Sequence, residues 1–147
     1  MKKIFLCISI AITLVMASCN IFSPYGKAIK INDSLEVFIK GDSTTETDAK
    51  KLGTYLADLW KEDKNHKSIQ LIKEKDLYTI KMVANEKVLQ ADPALESAFG
   101  IVRALIEENV YKGSKVRLIL TDDKFKDIKT FDGSTDMPTA TKDSINK

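Results

Sequence analysis

Cysteine, histidine, glycine and proline are all scarce in this chain. Among 147 residues there are 2 cysteines, both near the amino terminus, 1 histidine, 6 glycines and 3 prolines. The rest of the chain therefore has no internal disulfide or thiolate metal site, and its composition is not collagenous. The net charge of +2 comes from 23 basic and 21 acidic side chains that are evenly dispersed, which does not indicate a nucleic-acid-binding face. With 44% hydrophobic and 30% charged residues, the composition is typical of one globular domain.

A short apolar segment preceded by two lysines lies at the start of the sequence. Lys2 and Lys3 come before an almost wholly apolar run over residues 4–15. This run is too short for an ordinary membrane span, which needs about 20 apolar residues. Small residues follow it, in the sequence Met16-Ala17-Ser18-Cys19. A basic start, a short apolar region and small residues before a cleavage point are typical of an export signal.

The sequence Met16-Ala17-Ser18-Cys19 resembles the lipobox of bacterial lipoproteins, in which small residues precede an obligatory cysteine. The resemblance implies that Cys19 receives a diacylglycerol, that a peptidase cuts before it, and that the new amino terminus is acylated too. Several acyl chains together anchor a protein stably in a membrane. Asn20 stands where an Asp favours inner-membrane retention in lipoproteins of enteric bacteria, so the resemblance implies the outer membrane in a diderm. The alternatives are an ordinary secretory signal cleaved near Ala17 or a retained amino-terminal anchor.

Four segments follow from this interpretation: a signal peptide over 1–18, a lipidated tether over 19–34, a folded domain over 35–131 and a disordered tail over 132–147. The tether contains Pro24 and Gly26 and shows little periodicity, and the tail is small and polar. Loss of the signal peptide removes Lys2 and Lys3 and leaves equal numbers of basic and acidic side chains. The mature protein is therefore expected to be held at the membrane by lipid and not by basic residues.

Hydrophobic periodicity predicts the elements of the folded domain. Alternation predicts strands over 35–40, 67–73, 77–83, 115–121 and 125–131, and spacings of three and four predict a helix from about 45 to 60. Thr45 and Asp48 resemble a capping box at the start of that helix. A second helix is expected to begin at Asp92-Pro93, with Asp as the N-cap and Pro at the first helical position.

This order of elements predicts an α+β fold. Two βαβ units joined through a hairpin, with right-handed crossovers, give a ferredoxin-like βαββαβ two-layer sandwich with both helices on one face of an antiparallel-rich sheet, plus an extra carboxyl-terminal strand. An internal duplication is indicated by matches at a constant offset, such as Leu52-Gly53 with Phe99-Gly100. Glycine inside a helix is unfavourable, so we expect Gly53 to permit a close approach of its helix to the sheet.

The sheet face away from the helices is predicted to be an interaction surface. Strict alternation places apolar and basic side chains together on it, namely Phe38, Ile72, Ile119, Lys81 and Arg117. Such a face is too apolar for a purely solvated surface, and its charges suit a polar rim. The tether or tail, a second copy of the chain, or a distinct partner is therefore expected to cover it.

The motifs of catalysis and metal binding are missing from the sequence. His66 lies in a charged loop and is interpreted as a solvated residue, and Asp122-Asp123 are interpreted as turn residues. Glycine-rich phosphate loops and nucleophile elbows are also lacking. The sequence therefore predicts no catalytic residue, metal or cofactor. Its leading interpretation is a lipid-anchored, noncatalytic cell-envelope domain that binds a protein partner or a second copy; the alternatives are a small envelope enzyme, an accessory subunit, or a carrier of a small apolar ligand.

Overall fold

The structure of the protein is a computed structural model that describes residues 23–63 and 65–133. This part of the chain forms six strands and three helices: β1 Lys27–Lys30, β2 Leu35–Lys40, α1 Glu46–Leu59, β3 Lys67–Glu74, β4 Leu77–Val83, α2 Glu86–Ala91, α3 Pro93–Asn109, β5 Lys115–Thr121 and β6 Asp127–Phe131. The predicted signal peptide, Cys19 and the predicted tail from residue 134 onward lie outside the described residues.

All six strands belong to one mixed sheet, in which their order follows the chain from β1 to β6. The pairs β1–β2, β3–β4 and β5–β6 are antiparallel, whereas β2–β3 and β4–β5 are parallel. The α+β class is therefore confirmed. The sheet is larger than predicted, because β1 adds a strand beside β2 at the amino-terminal edge.

The predicted ferredoxin-like order is not fully confirmed. From β2 to β5 the elements follow the expected order, but the strands joined by α1 and by α3 are direct neighbours, whereas a ferredoxin-like sheet splits its βαβ units. Both connections step the same way along the sheet, β3 and β4 are antiparallel, and α1 and α3 pack on one face. Together, these three facts require that the β2–α1–β3 and β4–α3–β5 connections have opposite hands. One of the two connections is therefore left-handed, unlike the right-handed crossovers that were predicted for both.

One hydrophobic core lies between the sheet and the two long helices. Strand register places alternate residues of each strand on the helix side, where Val37, Ile69, Ile80 and Leu118 are fully or almost fully buried. The helices contribute their apolar stripes to the same cluster, with Leu52, Leu56 and Ile106 at its centre. The inward face that alternation predicts from the sequence is therefore confirmed for these strands.

Both long helices begin as their sequences predict. Thr45 is the N-cap of α1, and reciprocal hydrogen bonds between Thr45 and Asp48 complete the capping box. At α3, the side chain of Asp92 accepts a hydrogen bond from the Ala94 N–H at 2.9 Å, and Pro93 occupies the first turn. Each cap satisfies an amide that helix geometry leaves without a partner.

Other parts of the chain differ from the sequence-based expectations. Strand β1 lies inside the predicted tether, where only Ile29 of its four residues is buried, and a strand this short has too little periodicity to be recognised. The short helix α2 was not predicted, and β6 begins at Asp127 instead of residue 125. Gly53 packs against the side chain of Ile31, between β1 and β2, and not directly on the sheet as predicted.

Candidate interaction face

Strand register places the five predicted residues on the sheet face opposite the helices. Phe38, Lys81 and Ile119 lie in one row across the sheet, and Ile72 and Arg117 lie in the adjacent row. The structure therefore brings these side chains onto one surface. The two rows have different surroundings. Other segments of the chain pack over the row that contains Phe38, whereas the row that contains Ile72 and Arg117 has no such cover among the described residues.

The cover consists of two aromatic side chains from segments that flank the sheet. Tyr25 and Phe125 are tilted against each other with their ring centroids 5.3 Å apart, and each packs edge-on against Phe38, at 6.2 and 6.0 Å. Ile119 on the same face is only 6% exposed. We call Tyr25, Phe38 and Phe125 the aromatic cluster. The expectation that the chain covers its own sheet face thus applies to this part of it.

A tight turn directs Tyr25 onto the sheet. The sequence Ser23-Pro24-Tyr25-Gly26 matches a type I turn, with Ser at its first position, Pro at its second and Gly at its fourth. The Gly26 N–H donates a hydrogen bond to the Ser23 carbonyl at 2.9 Å, and the Gln70 side-chain amide donates one to the Tyr25 carbonyl at 2.7 Å. Part of the predicted tether is therefore folded against the domain.

A loop held by Asp122 positions Phe125. The Asp122 carboxylate accepts hydrogen bonds from the backbone N–H of Lys126 and of Lys124, at 2.8 and 2.9 Å. These bonds, led by the one from Lys126, hold the pKa of Asp122 below its usual value. Phe125 has a φ of 57°, a left-handed conformation that is uncommon for a bulky residue and that this loop supports. Asp122 is therefore a turn residue, as the sequence predicts.

A cavity of about 380 Å³ lies beside the aromatic cluster. Its polar wall is formed by Glu36, Ser68 and His66: the Ser68 hydroxyl donates to Glu36 Oε1 at 2.8 Å, and His66 Nε2 lies 3.2 Å from the same oxygen. The remaining lining combines apolar and charged residues, namely Tyr25, Phe38, Lys67, Val83, Asp123 and Phe125. The cavity therefore offers an aromatic surface next to a carboxylate, a hydroxyl and an imidazole.

The geometry of this wall does not pair the serine with a base. Serine is activated when a base accepts its proton and is itself oriented by a third group. Here Ser68 and His66 both contact Glu36, so the imidazole is not placed on the serine hydroxyl. Within residues 23–63 and 65–133, no group of three or more His, Cys, Asp or Glu side chains could hold a metal ion.

Sequence reasoning missed this polar wall because its residues come from different segments. The sequence predicts that His66 is a solvated loop residue; its side chain is 58% exposed, but it contacts Glu36. The parallel register that pairs Leu35 with Lys67 sets Glu36 beside Ser68. Only this strand register would have shown that Glu36 and Ser68 are neighbours, and it can be derived only when β2 and β3 are known to pair.

A buried polar cluster lies on the opposite, helix-facing side of the sheet. The rings of Tyr78 and Tyr111 stack with centroids 3.7 Å apart, and their hydroxyls donate to the Asp48 side chain at 3.1 Å and to the Asp48 carbonyl at 2.9 Å. Burial, together with the Asp48 charge, raises the pKa of Tyr111. The cluster ties the start of α1 to β4 and to the end of α3, and its role is structural.

Comparison with family models identifies the domain. The model of the AF_1994_N family N-terminal domain matches residues 28–133, which is more than half of the chain. This chain belongs to the AF_1994_N family. The matched segment begins within β1 and ends two residues after β6, so it includes the described helices and all of the sheet except Lys27. No curated protein and no solved structure gives a significant match.

The AF_1994_N segment contains only part of the interaction face. Phe38, Phe125 and the polar wall of the cavity lie inside it, whereas Tyr25 and its turn precede it. The cover thus joins one ring from the tether to rings that belong to the family domain. Among the helices that the structure describes, none has the length and apolar character needed to cross a bilayer.

Proposed function

We propose that this AF_1994_N protein is a bacterial lipoprotein with a noncatalytic binding domain in the cell envelope. The observation that carries the proposal is Cys19, which ends a lipobox-like sequence and stands only four residues before Ser23, the first residue that the structure describes. Cleavage before Cys19 and acylation of its thiol and amino group would anchor the domain. Because Asn20 follows Cys19, the outer membrane is the proposed location in a diderm.

The cavity beside the aromatic cluster is the proposed binding site. It combines a concave apolar surface with a few convergent polar groups, which is the usual composition of a ligand site. Glu36 and Ser68 would fix the orientation of a bound group, and Phe38 and Phe125 would contact its apolar part. An envelope partner that inserts an apolar side chain into the cavity is the leading candidate. A small apolar ligand is the second, because Phe38 and Phe125 give the cavity an apolar surface.

For the fold, we propose a relationship to the ferredoxin-like unit in element order only, derived from duplication of a βαβ unit. Ile69 in β3 and Val116 in β5 occupy equivalent buried positions, and Gly53 and Gly100 are both buried inside their helices. The two helices differ where Leu59 is 44% exposed and its counterpart Ile106 is fully buried. The two halves would therefore have diverged in how their helices pack.

Labelling with radioactive palmitate tests the lipid anchor. Cys19→Ala is expected to abolish incorporation and leave an uncleaved precursor, because no other thiol stands at the cleavage site. Cys7→Ala is the matched control, since Cys7 lies within the apolar part of the signal and is expected to leave incorporation unchanged. Equal labelling of the Cys19→Ala protein and the wild type would contradict the anchor.

Filling the cavity tests the binding site. Val83 lines the cavity and is 43% exposed, so Val83→Trp should obstruct it with little loss of stability. Val88, which is 50% exposed and lies outside the cavity, provides the matched control Val88→Trp. Cross-linking in intact cells followed by mass spectrometry should lose its main product only in Val83→Trp. A product that persists in both variants would place the binding site elsewhere.

A further inference from the structure

The row of residues beyond the aromatic cluster carries cations without ion pairs. Lys40, Ile72, Thr79 and Arg117 are neighbours in register across β2–β5. At about 4.8 Å between strands, the backbones of Lys40 and Arg117 lie about 14 Å apart. Within residues 23–63 and 65–133, neither side chain forms an ion pair.

The next row adds one more cation and one anion to the same surface. Lys115 pairs with Leu77, which in turn pairs with Glu74, so the two charges lie two strands apart. Leu77, Ile72 and Thr79 are half-buried between the charged residues. We call Lys40, Ile72, Thr79, Arg117 and Lys115 the cationic end of the sheet face. Its excess of positive charge contrasts with the equal numbers of basic and acidic side chains that follow Cys19.

The chain also enters the domain at the cationic end. Gly26, with a φ of 105°, lies so close to the Ile39 carbonyl that a side chain there would collide with it, which places Gly26 beside the Ile39–Lys40 end of β2. The turn then brings Ser23 to within about 7 Å of Gly26. Cys19 precedes Ser23 by four residues, which can span at most about 14 Å in any conformation. An acylated Cys19 would therefore hold the bilayer within about 21 Å of Gly26, which is short enough for the cationic end to reach the headgroups.

We propose that the cationic end docks on anionic lipid headgroups of the bilayer that holds the acylated Cys19. This inference rests on the lipid anchor of the proposed function. Unpaired cations at a spacing of about 14 Å, with half-buried apolar side chains between them, complement an anionic surface at its polar boundary. The lipid anchor already keeps the domain at a high local concentration beside the membrane. The cations therefore determine how the domain is oriented, and the anchor determines that it stays attached.

The other end of the same face favours this orientation. Glu36 and Asp123 line the cavity there beside Lys67, so that end carries no excess of positive charge to attract anionic headgroups. A domain that rests on its cationic end therefore turns the cavity away from the headgroups and keeps it accessible. The helices lie on the opposite face of the sheet, so exposed positions of α1 are also farther from the headgroups than the cationic end.

Quenching by lipids that carry a nitroxide headgroup measures this orientation. The residues after Cys19 contain no cysteine, so the mature lipidated protein can be labelled at single introduced thiols. A fluorophore on Thr79→Cys reports the cationic end, and one on Thr54→Cys reports an exposed position of α1. Because Thr79 is half-buried, Glu74→Cys on the same end provides an exposed second position.

In vesicles that contain phosphatidylglycerol, we expect quenching at Thr79→Cys and Glu74→Cys to be several-fold stronger than at Thr54→Cys. We expect the ratio of quenching at the cationic end to quenching at Thr54→Cys to fall close to one under each of three conditions. These are the double substitution Lys40→Glu and Arg117→Glu, vesicles of phosphatidylcholine alone, and 1 M salt, where the Debye length is about 3 Å. Each basic residue near an anionic surface is worth roughly a fivefold preference, so reversing two charges should suffice.

Sedimentation with the vesicles separates this inference from the anchor. The charge-reversed protein should still sediment, because lipid holds it. Equal quenching at the three positions, or a preference for Thr79→Cys that survives charge reversal, would overturn the proposed docking and leave the anchor in place. Failure of the mature wild-type protein to sediment would contradict the anchor and this inference with it.

Discussion

At the scale of single residues, Asp48 links α1 to β4 and to the segment after α3. Burial alone would raise the pKa of its carboxyl, but hydrogen bonds from Thr45 and Tyr78 outweigh this effect and hold the pKa below its usual value. A lowered folded-state pKa contributes stability above the unfolded-state pKa, and this contribution is lost as the pH falls through the folded-state value. Asp48 should therefore stabilise the protein at neutral pH and cease to do so in acid.

Asp48→Asn tests this contribution. At pH 7 we expect the free energy of unfolding, measured with urea, to fall by about 1–3 kcal/mol, because hydrogen bonds to a buried charged acceptor are lost. The difference from wild type should shrink below about pH 4, the usual range of an aspartate pKa. Asp58→Asn, at an exposed position of the same helix, should change little at either pH. A difference that is equal at pH 7 and pH 3 would contradict the assignment.

The sequence indicates only those hydrogen bonds of Asp48 that join it to residues close to it in the chain. The capping box follows from Thr45 and Asp48, which are three residues apart. The hydrogen bonds of Tyr78 and Tyr111 to Asp48 span 30 and 63 residues, so no local pattern contains them. The same limit applies to the cavity, where Glu36 and Ser68 are separated by 32 residues and meet through strand pairing.

At the scale of elements, the contact between Gly53 and Ile31 fixes α1 against the connection from β1 to β2. A Cβ atom at Gly53 would lie far inside the van der Waals contact distance of Ile31 Cγ1. Helix propensity alone would favour Ala over Gly by about 1 kcal/mol. The two effects have opposite signs, so the contact can be tested by substitution.

We expect Gly53→Ala to lower the free energy of unfolding by about 1–3 kcal/mol, the usual cost of overpacking. In an Ile31→Ala background, which removes the obstructing atoms, the same substitution should be neutral or stabilising. A double-mutant cycle by urea unfolding measures the difference. If Gly53→Ala stabilises the otherwise wild-type protein, α1 does not approach Ile31 as closely as described.

Elements with strong local signals could be predicted, and their arrangement could not. The stripe of Leu52 and Leu56, the N-cap Asp92 and the alternation of β3 and β4 each identify an element from its own residues. Strand β1 depends on pairing with β2, and the strand order depends on which faces the helices cover. Right-handed crossovers with both helices on one face predict that another strand separates the two strands of each βαβ unit. In the sheet, strands that are consecutive in the chain are instead direct neighbours.

At the scale of the whole molecule, the two faces of the sheet differ in what covers them. One face packs on α1 and α3 and forms the core, and the other presents the aromatic cluster, the cavity and the cationic end. The sequence identified this second face through Phe38, Ile72, Ile119, Lys81 and Arg117. The sequence could not show which part of this face is covered and which is open, because the cover is made by Tyr25 and Phe125, which come from loops.

The central claim is that the domain is anchored through lipid on Cys19. Mass spectrometry of the protein purified from membranes tests it most directly, because trypsin should release an amino-terminal peptide of residues 19–27. We predict that this peptide begins at Cys19 and carries a diacylglyceryl thioether, with a further acyl group on its amino terminus. An unmodified Cys19, or a mature chain that begins at another residue, would contradict the claim.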